Sequence, residues 1–304
     1  MIDCCLEELE EKPSVTLKEL KNLIFQKFQV AVCPNTIRKH LLCECYTLKQ
    51  LCHQKMAMNT PENIQKRKEF VLKFVEHQKA GALIVFFDET SYDLYTDCSK
   101  GRSKIGDRAI VQNASTKGEN LHIQLAVHHQ VGVVYISHHL GLLRMWNAAS
   151  YAKNVADAAK SSDLYEREYQ GKDIVLVFDN APAHNQLELN VAFGCETLEE
   201  LEDKVSWLKF LPLAPYSPML NPCEGCFSSL KAKIKEKIRD RRAELLNFKE
   251  KGQVTKYRMD ALIQVYQDII SENIITSALI SQYWQNCMQN MGFAKQEQPM
   301  QLGA

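Results

Sequence analysis

The spacing of apolar positions changes character near residue 81. Before it the pattern is helical. Ile2 to Glu11 carries helix signals, and Thr16-Leu17-Lys18-Glu19 has the form of a capping box. Leu17, Leu20, Leu23, Ile24 and Phe28 then recur at helical intervals. After a break over Gln29 to Val32, Pro34 suits the first turn of a third helix. On it Ile37, Leu41, Leu42 and Cys45 give one apolar stripe, and Arg38, Lys39 and His40 cluster near the exposed side. Three short helices with a tight second turn predict a helix-turn-helix unit over residues 1–55, whose last helix would enter a DNA major groove. A small helical bundle with solvated basic residues fits the same pattern. Local charge does not decide between them, because residues 1–60 carry eight Lys/Arg against seven Asp/Glu. Residues 56–80, with Lys-Arg-Lys at 66–68, predict a polar linker helix.

From Gly81 onward short apolar runs take over, rich in β-branched and aromatic residues. LIVFFDE (83–89), HIQLAVHH (122–129), VVYISH (133–138), DIVLVFDN (173–180) and SWLKFLP (206–212) have strand length. Ala148 to Lys160 and Pro182 to about Phe193 read as helices between them. The alternation predicts an α/β domain over 81–240 with central strands buried on both faces. Helix signals after Glu224 run almost to residue 290, so 241–304 reads as a helical tail, with Trp284 in a core or oligomer contact.

Composition adds limits. A chain of 304 residues accommodates one large domain and a small one. Lys+Arg and Asp+Glu both number 37, which argues against indiscriminate coating of nucleic acid but leaves room for local basic patches. The acidic start MIDCCLEELEE does not read as a signal peptide, and no segment reaches the apolar length expected of a membrane span. The eleven scattered cysteines are therefore expected as reduced thiols in cytosol or nucleus. Cys223 and Cys226 form one isolated CxxC, whereas structural zinc takes two such pairs, so buried thiols are the simpler expectation.

Three carboxylates draw the chemistry together. Asp88 and Asp179 each end an apolar run, where open α/β sheets place their ligand crevice. A buried charge there is costly unless paired or bound to metal. Asp and Asn are also common turn and cap residues, so either acid alone would mean little. Glu224 follows FLPLAPYSPMLNPC, a run whose prolines restrict the backbone. Asn221 can cap the next helix, Pro222 can open it, and Glu224 then stands at the third position of a capping box. Three carboxylates brought together would repel and raise one another's pKa, a penalty that hard divalent cations remove. Mg²⁺ takes octahedral oxygen ligands, and a pair of such ions supports in-line displacement at phosphorus.

On these residues the chain resembles the Tc/mariner superfamily of DDE transposases. The resemblance rests on FFDETSY, on GDRAI at 106–110, on Asp179-Asn180 with His184, and on Pro215, Tyr216, Ser217, Pro218, Leu220, Asn221, Pro222 and Glu224. It covers roughly residues 1–240. It implies a ribonuclease H-like mixed five-stranded sheet flanked by helices, preceded by a small all-α helix-turn-helix unit, the second of the family's usual two. It implies Asp88, Asp179 and Glu224 as a triad holding two Mg²⁺ ions, with Mn²⁺ substituting, and Asn180, His184 and Asn221 as supports. The implied reaction is cleavage of transposon ends and strand transfer into target DNA. The implied partners are double-stranded DNA, as terminal repeats and target, and a second copy in a synaptic dimer; in a eukaryote the location is the nucleus. A domesticated or decayed copy that binds DNA without catalysis is the alternative, and a structure-specific nuclease of the same fold is a third reading. The chain departs from the family pattern at Phe227, where Trp is usual, at Cys223, where an aliphatic residue is usual, and in the 44 residues between the second and third acids. The extra length is expected around Gly194 to Lys204.

Residues 231–258 hold eleven Lys/Arg against four Asp/Glu. Lys231, Lys233 and Lys235 open this stretch directly after Glu224 and could follow a phosphate backbone, as Arg38, Lys39 and His40 could on the third helix. A solvated helix face explains the same charges.

Overall fold

The computed structural model describes residues 1–49, 54–96, 104, 108, 110–111, 118–141, 145–179, 206–248, 250 and 252–301. The chain divides into two compact units, Met1–Gln54 and Lys55–Leu302.

The first unit contains α1 (Ile2–Glu11), α2 (Leu17–Phe28) and α3 (Pro34–Cys43). The capping box forms as the sequence predicts: Glu19 N–H donates to Thr16 Oγ1 and Thr16 N–H to the Glu19 carboxylate at 2.7 Å. Gln29 adopts the left-handed conformation that ends α2. Cys5, Leu20, Ile24, Ile37 and Leu41 make the core. Two members of the expected α3 stripe fall outside it. Leu42 lies one position round the helix from Leu41 and is half exposed, and α3 ends before Cys45, which turns outward with φ 62°. Arg38, Lys39 and His40 are exposed as expected.

The second unit is built on a five-stranded mixed sheet in the order β3-β2-β1-β4-β5. Its strands are β1 (Leu83–Tyr92), β2 (Leu121–His128), β3 (Gly132–Leu140), β4 (Ile174–Phe178) and β5 (Leu208–Pro212). β1, β2 and β3 are antiparallel neighbours, whereas β4 runs parallel to both β1 and β5. The period-two alternation of strand side chains assigns the faces. Leu83, Val85 and Phe87 of β1 and Ile174, Leu176 and Phe178 of β4 pack on α5 (Met145–Lys160), through residues such as Tyr151 and Val155. Ile84, Phe86, Val175 and Val177 face the other way. They meet α4 (Pro61–Lys79), α6 (Pro222–Asp240), α8 (Val254–Ser271) and α9 (Ser277–Lys295), with the short α7 (Arg242–Asn247) beside them.

Two expectations change here. The predicted linker helix is α4, and it belongs to the core: Phe70, Val71 and Phe74 are buried, and so is Arg67, which donates to the Met58 carbonyl and Asn59 Oδ1 at 3.0 Å each. Its many charged positions hid a narrow apolar stripe. The expected tail is likewise core: Trp284 packs edge-on against Phe86 at 5.2 Å between ring centres. Among the described residues no helix is long and apolar enough to cross a membrane. The expected helix from Pro182 and the extra segment around Gly194 to Lys204 lie outside the described residues, as does most of GDRAI.

Candidate active site

The site is assembled where β1 and β4 leave the sheet. The register that pairs Phe86 with Val177 sets Asp88 level with Asp179 two residues further on. The strand alternation points both toward the face covered by α6. Asp179 directly follows β4, as expected, but Asp88 does not end its strand. β1 continues to Tyr92, because residues 86–92 keep pairing with β2 after the β4 ladder has stopped. Asp88 therefore sits on rigid backbone, 7 % exposed.

The third acid arrives on the first turn of α6. In the preceding loop Tyr216 takes a left-handed φ of 53°, and Ser217 Oγ donates to the Pro215 carbonyl at 3.0 Å. A 3₁₀ turn over Pro218–Leu220 follows. Asn221 caps α6 by accepting the Cys223 N–H at 3.1 Å. The other end of its amide donates to Asp88 Oδ2 at 2.8 Å, across 133 residues of sequence. Asp88 Oδ1 accepts the Glu89 N–H at 2.7 Å. The capping-box expectation for Glu224 gives way here, since the Asn221 N–H that such a glutamate would take is donated to the Pro218 carbonyl at 3.0 Å. Cys223 seats the same turn on the sheet. Its thiol is fully buried 3.6 Å from the Phe86 carbonyl and 3.7 Å from that of Leu125. Cys223 and Cys226 are core thiols, and burial pushes both well up.

The three carboxylates feel one another. Burial, then the charges of Glu224 and Asp179, push Asp88 up to about 8. Glu224 is also raised by partial desolvation and by Asp179, with Lys231 opposing. By surface area Glu224 is exposed, so it lies at the rim while Asp88 forms the floor. Among the described residues no three or more His, Cys, Asp or Glu side chains stand close enough to enclose an ion as they are. The donor set nevertheless fits a hard cation. It is all oxygen, it is anchored at Asp88 by two donors, and a divalent ion would relieve the mutual repulsion that raises Asp88 and Glu224. Asn180 and His184 lie outside the described residues.

Of the expected basic contacts, Lys231, Lys233 and Lys235 are half-buried on α6. Lys233 is paired with Glu236 at 2.8 Å, and further along Lys237 pairs with Glu272 and Arg241 with Glu244. Lys231 and Lys235 follow Glu224 along one helical stripe at helical intervals. Sequence reasoning missed Gly225. A glycine inside a helix costs about 1 kcal/mol relative to alanine, which was the one signal available.

The family model described as DDE superfamily endonuclease matches residues 83–246, which span all three acids. The chain belongs to the DDE superfamily of endonucleases. No curated protein matches it in sequence. Among solved structures, this DDE-family chain is similar to the Mos1 strand transfer complex at 13% identity and TM-score 0.60, covering 99% of this chain and 79% of that one. The Mos1 mariner paired end complex with Mn gives 16% identity and TM-score 0.61, covering 98% and 79%. A pre-cleavage Mos1 transpososome gives 15% and 0.55, covering 96% and 79%. At these identities the likeness is one of fold, the ribonuclease H-like fold of the mariner transposase.

Proposed function

We propose that the chain is a Tc/mariner-type transposase that cuts transposon DNA ends and joins them to target DNA, with Asp88, Asp179 and Glu224 as its catalytic carboxylates. The observation that carries this is the bridge from Asn221 to Asp88. It ties the helix bearing Glu224 to the strand bearing Asp88, beside Asp179, in a DDE-family domain. The three acids would hold divalent ions, Mg²⁺ or Mn²⁺. Two such ions, when bound, supply activation of the attacking hydroxyl and stabilisation of the departing oxygen. The chain's own groups do the rest. Asn221 holds the Asp88 carboxylate in place through its Oδ2. The apolar seat of Cys223 holds the first turn of α6 at a set depth. Lys231 and Lys235 neutralise phosphates along the helix that leaves the site. Arg38, Lys39 and His40 on α3 contact the terminal repeat, and Asn180 and His184 support the triad. The Mos1 relatives are transposase complexes named for paired ends and strand transfer, which supports double-stranded DNA and a synaptic homodimer as partners here.

The test is cleavage of a labelled duplex carrying the terminal repeats that flank the coding sequence, with Mg²⁺ or Mn²⁺. Asp88→Asn, Asp179→Asn and Glu224→Gln are each expected to lower cleavage by roughly 10³-fold while DNA is still retained. Joining of the cut end to a second duplex distinguishes a transposase from a nuclease of the same fold. Normal cutting by Glu224→Gln removes Glu224 from the reaction, and absence of cutting in every form, with DNA still bound, favours the decayed DNA-binding copy.

A further inference from the structure

We infer that Tyr283 on α9 is a positioning residue for Glu224, acting through Gly225. A Cβ placed on Gly225 would lie 2.4 Å from Tyr283 Cδ1, 2.5 Å from Cγ and 2.7 Å from Cε1. These are the near carbons of the ring, tied closely to its backbone, so they cannot swing aside as a flexible chain end would. The ring thus lies against bare backbone at the residue after Glu224. Its hydroxyl lies 2.8 Å from Ser229 Oγ, one turn further along α6. On the other side of Glu224, Asn290 Nδ2 of α9 donates to the Met219 carbonyl at 3.3 Å, in the turn that delivers Asn221. The same helix carries Trp284, packed on Phe86 two residues before Asp88. One helix therefore touches the backbone on both sides of Glu224 and the strand of Asp88, and the Gly225–Tyr283 contact sets how closely the first turn of α6 approaches it. A side chain at 225 would lever that turn away from α9 and move Glu224 relative to Asp88 and Asp179. This explains why a helix-weakening glycine follows the acid.

The inference rests on the carboxylates binding a divalent ion, and the experiment separates the two claims. Free Mn²⁺ is measured by electron paramagnetic resonance during titration of the full chain, with the melting temperature recorded alongside. Wild type is expected to bind Mn²⁺ in a manner lost in Asp88→Asn. Gly225→Ala is expected to weaken Mn²⁺ by roughly ten- to a hundredfold, the size typical of groups that orient ligands. Gly225→Ala combined with Tyr283→Ala, which removes the Cγ and Cδ1 that the new methyl would meet, is expected to recover much of that loss. Tyr283→Phe keeps the ring and should bind as wild type. If Gly225→Ala does not fold, Tyr283→Ala alone replaces it and is expected to weaken Mn²⁺ several-fold by removing the wall. Wild-type affinity in Gly225→Ala, or in Tyr283→Ala where that stands in, overturns the inference while leaving the carboxylate site intact. Equal binding by wild type and Asp88→Asn overturns the site reading and this inference with it. A lowered melting temperature without change in Mn²⁺ affinity shows ordinary packing and also overturns it.

Discussion

Asn221 is the residue on which two parts of the site meet. Its carbonyl end satisfies a helix N–H and its amine end satisfies a buried carboxylate, and of the short side chains only asparagine offers both an acceptor and a donor at that reach. Removing it leaves the Cys223 N–H uncapped and Asp88 Oδ2 without its amide donor. Asn221→Ala is therefore expected to cost about 1–3 kcal/mol, read from urea denaturation. Asn221→Ser separates the two roles. Its hydroxyl can cap α6 but is too short to reach Asp88, so it should recover the capping share, about 1 kcal/mol, and leave the remainder lost. Full recovery in the serine variant would mean that the bond to Asp88 contributes nothing to stability. Asn221 was legible in the sequence as a cap, from the Asn-Pro step before a helix. Its second bond was not, because nothing in a linear chain reports a partner 133 residues away.

At the scale of elements, the β2–β3 turn carries a pH dependence of its own. His128 is 2 % exposed, and its Nδ1 accepts the N–H groups of Gln130 and Val131 at 3.3 Å each. The ring faces His129, Tyr169 and Trp284, with no carboxylate among these ring contacts. Burial, then the neighbouring His129, push its pKa down to about 3. Below pH 6.5 the unfolded chain takes up a proton there that the folded chain refuses, so the unfolded state binds more protons and stability falls as pH falls. This contribution is complete above pH 6.5 and is lost progressively toward pH 3, at up to about 1.4 kcal/mol per pH unit. His128→Asn keeps an acceptor for the turn but does not titrate. The difference between wild type and this variant in urea stability should be flat above pH 7 and should favour the variant increasingly between pH 6 and 4. A difference independent of pH would show that His128 is not held neutral. All five strands were readable as apolar runs, most plainly β1, β2 and β4, where burial on both faces leaves few polar positions. The end of β1 was misread, since Asp88 interrupts the hydrophobic texture while the ladder to β2 carries on. α4 was misread for the converse reason: its polar positions outnumber a stripe only wide enough for Phe70, Val71 and Phe74, and a helix is placed by its stripe.

At the scale of the whole molecule, a net charge of zero coexists with a basic stretch on and after α6. The sequence gives the number of cations there but not how many are already engaged. Several are: Lys233, Lys237 and Arg241 each hold an acid of this same chain. Among the other cations of that stretch, Lys231 and Lys235 lie on the stripe that starts at the rim of the carboxylate cleft, where a phosphate backbone entering the site would pass. Each phosphate neutralised on duplex DNA adds about 0.9 to the steepness with which log affinity falls against log salt. Lys231→Ala and Lys235→Ala are each expected to lower that steepness by about 0.9, measured by fluorescence anisotropy of a labelled duplex across a series of NaCl concentrations. Lys237→Ala, whose ammonium is occupied by Glu272, should leave the slope unchanged even if affinity shifts slightly. A common slope for all three variants and wild type would assign the stripe to solvent and move the DNA path elsewhere on the molecule. A drop for Lys237→Ala as large as that for Lys231→Ala would mean instead that the internal ion pairs yield to phosphate, so that the whole basic stretch contacts DNA.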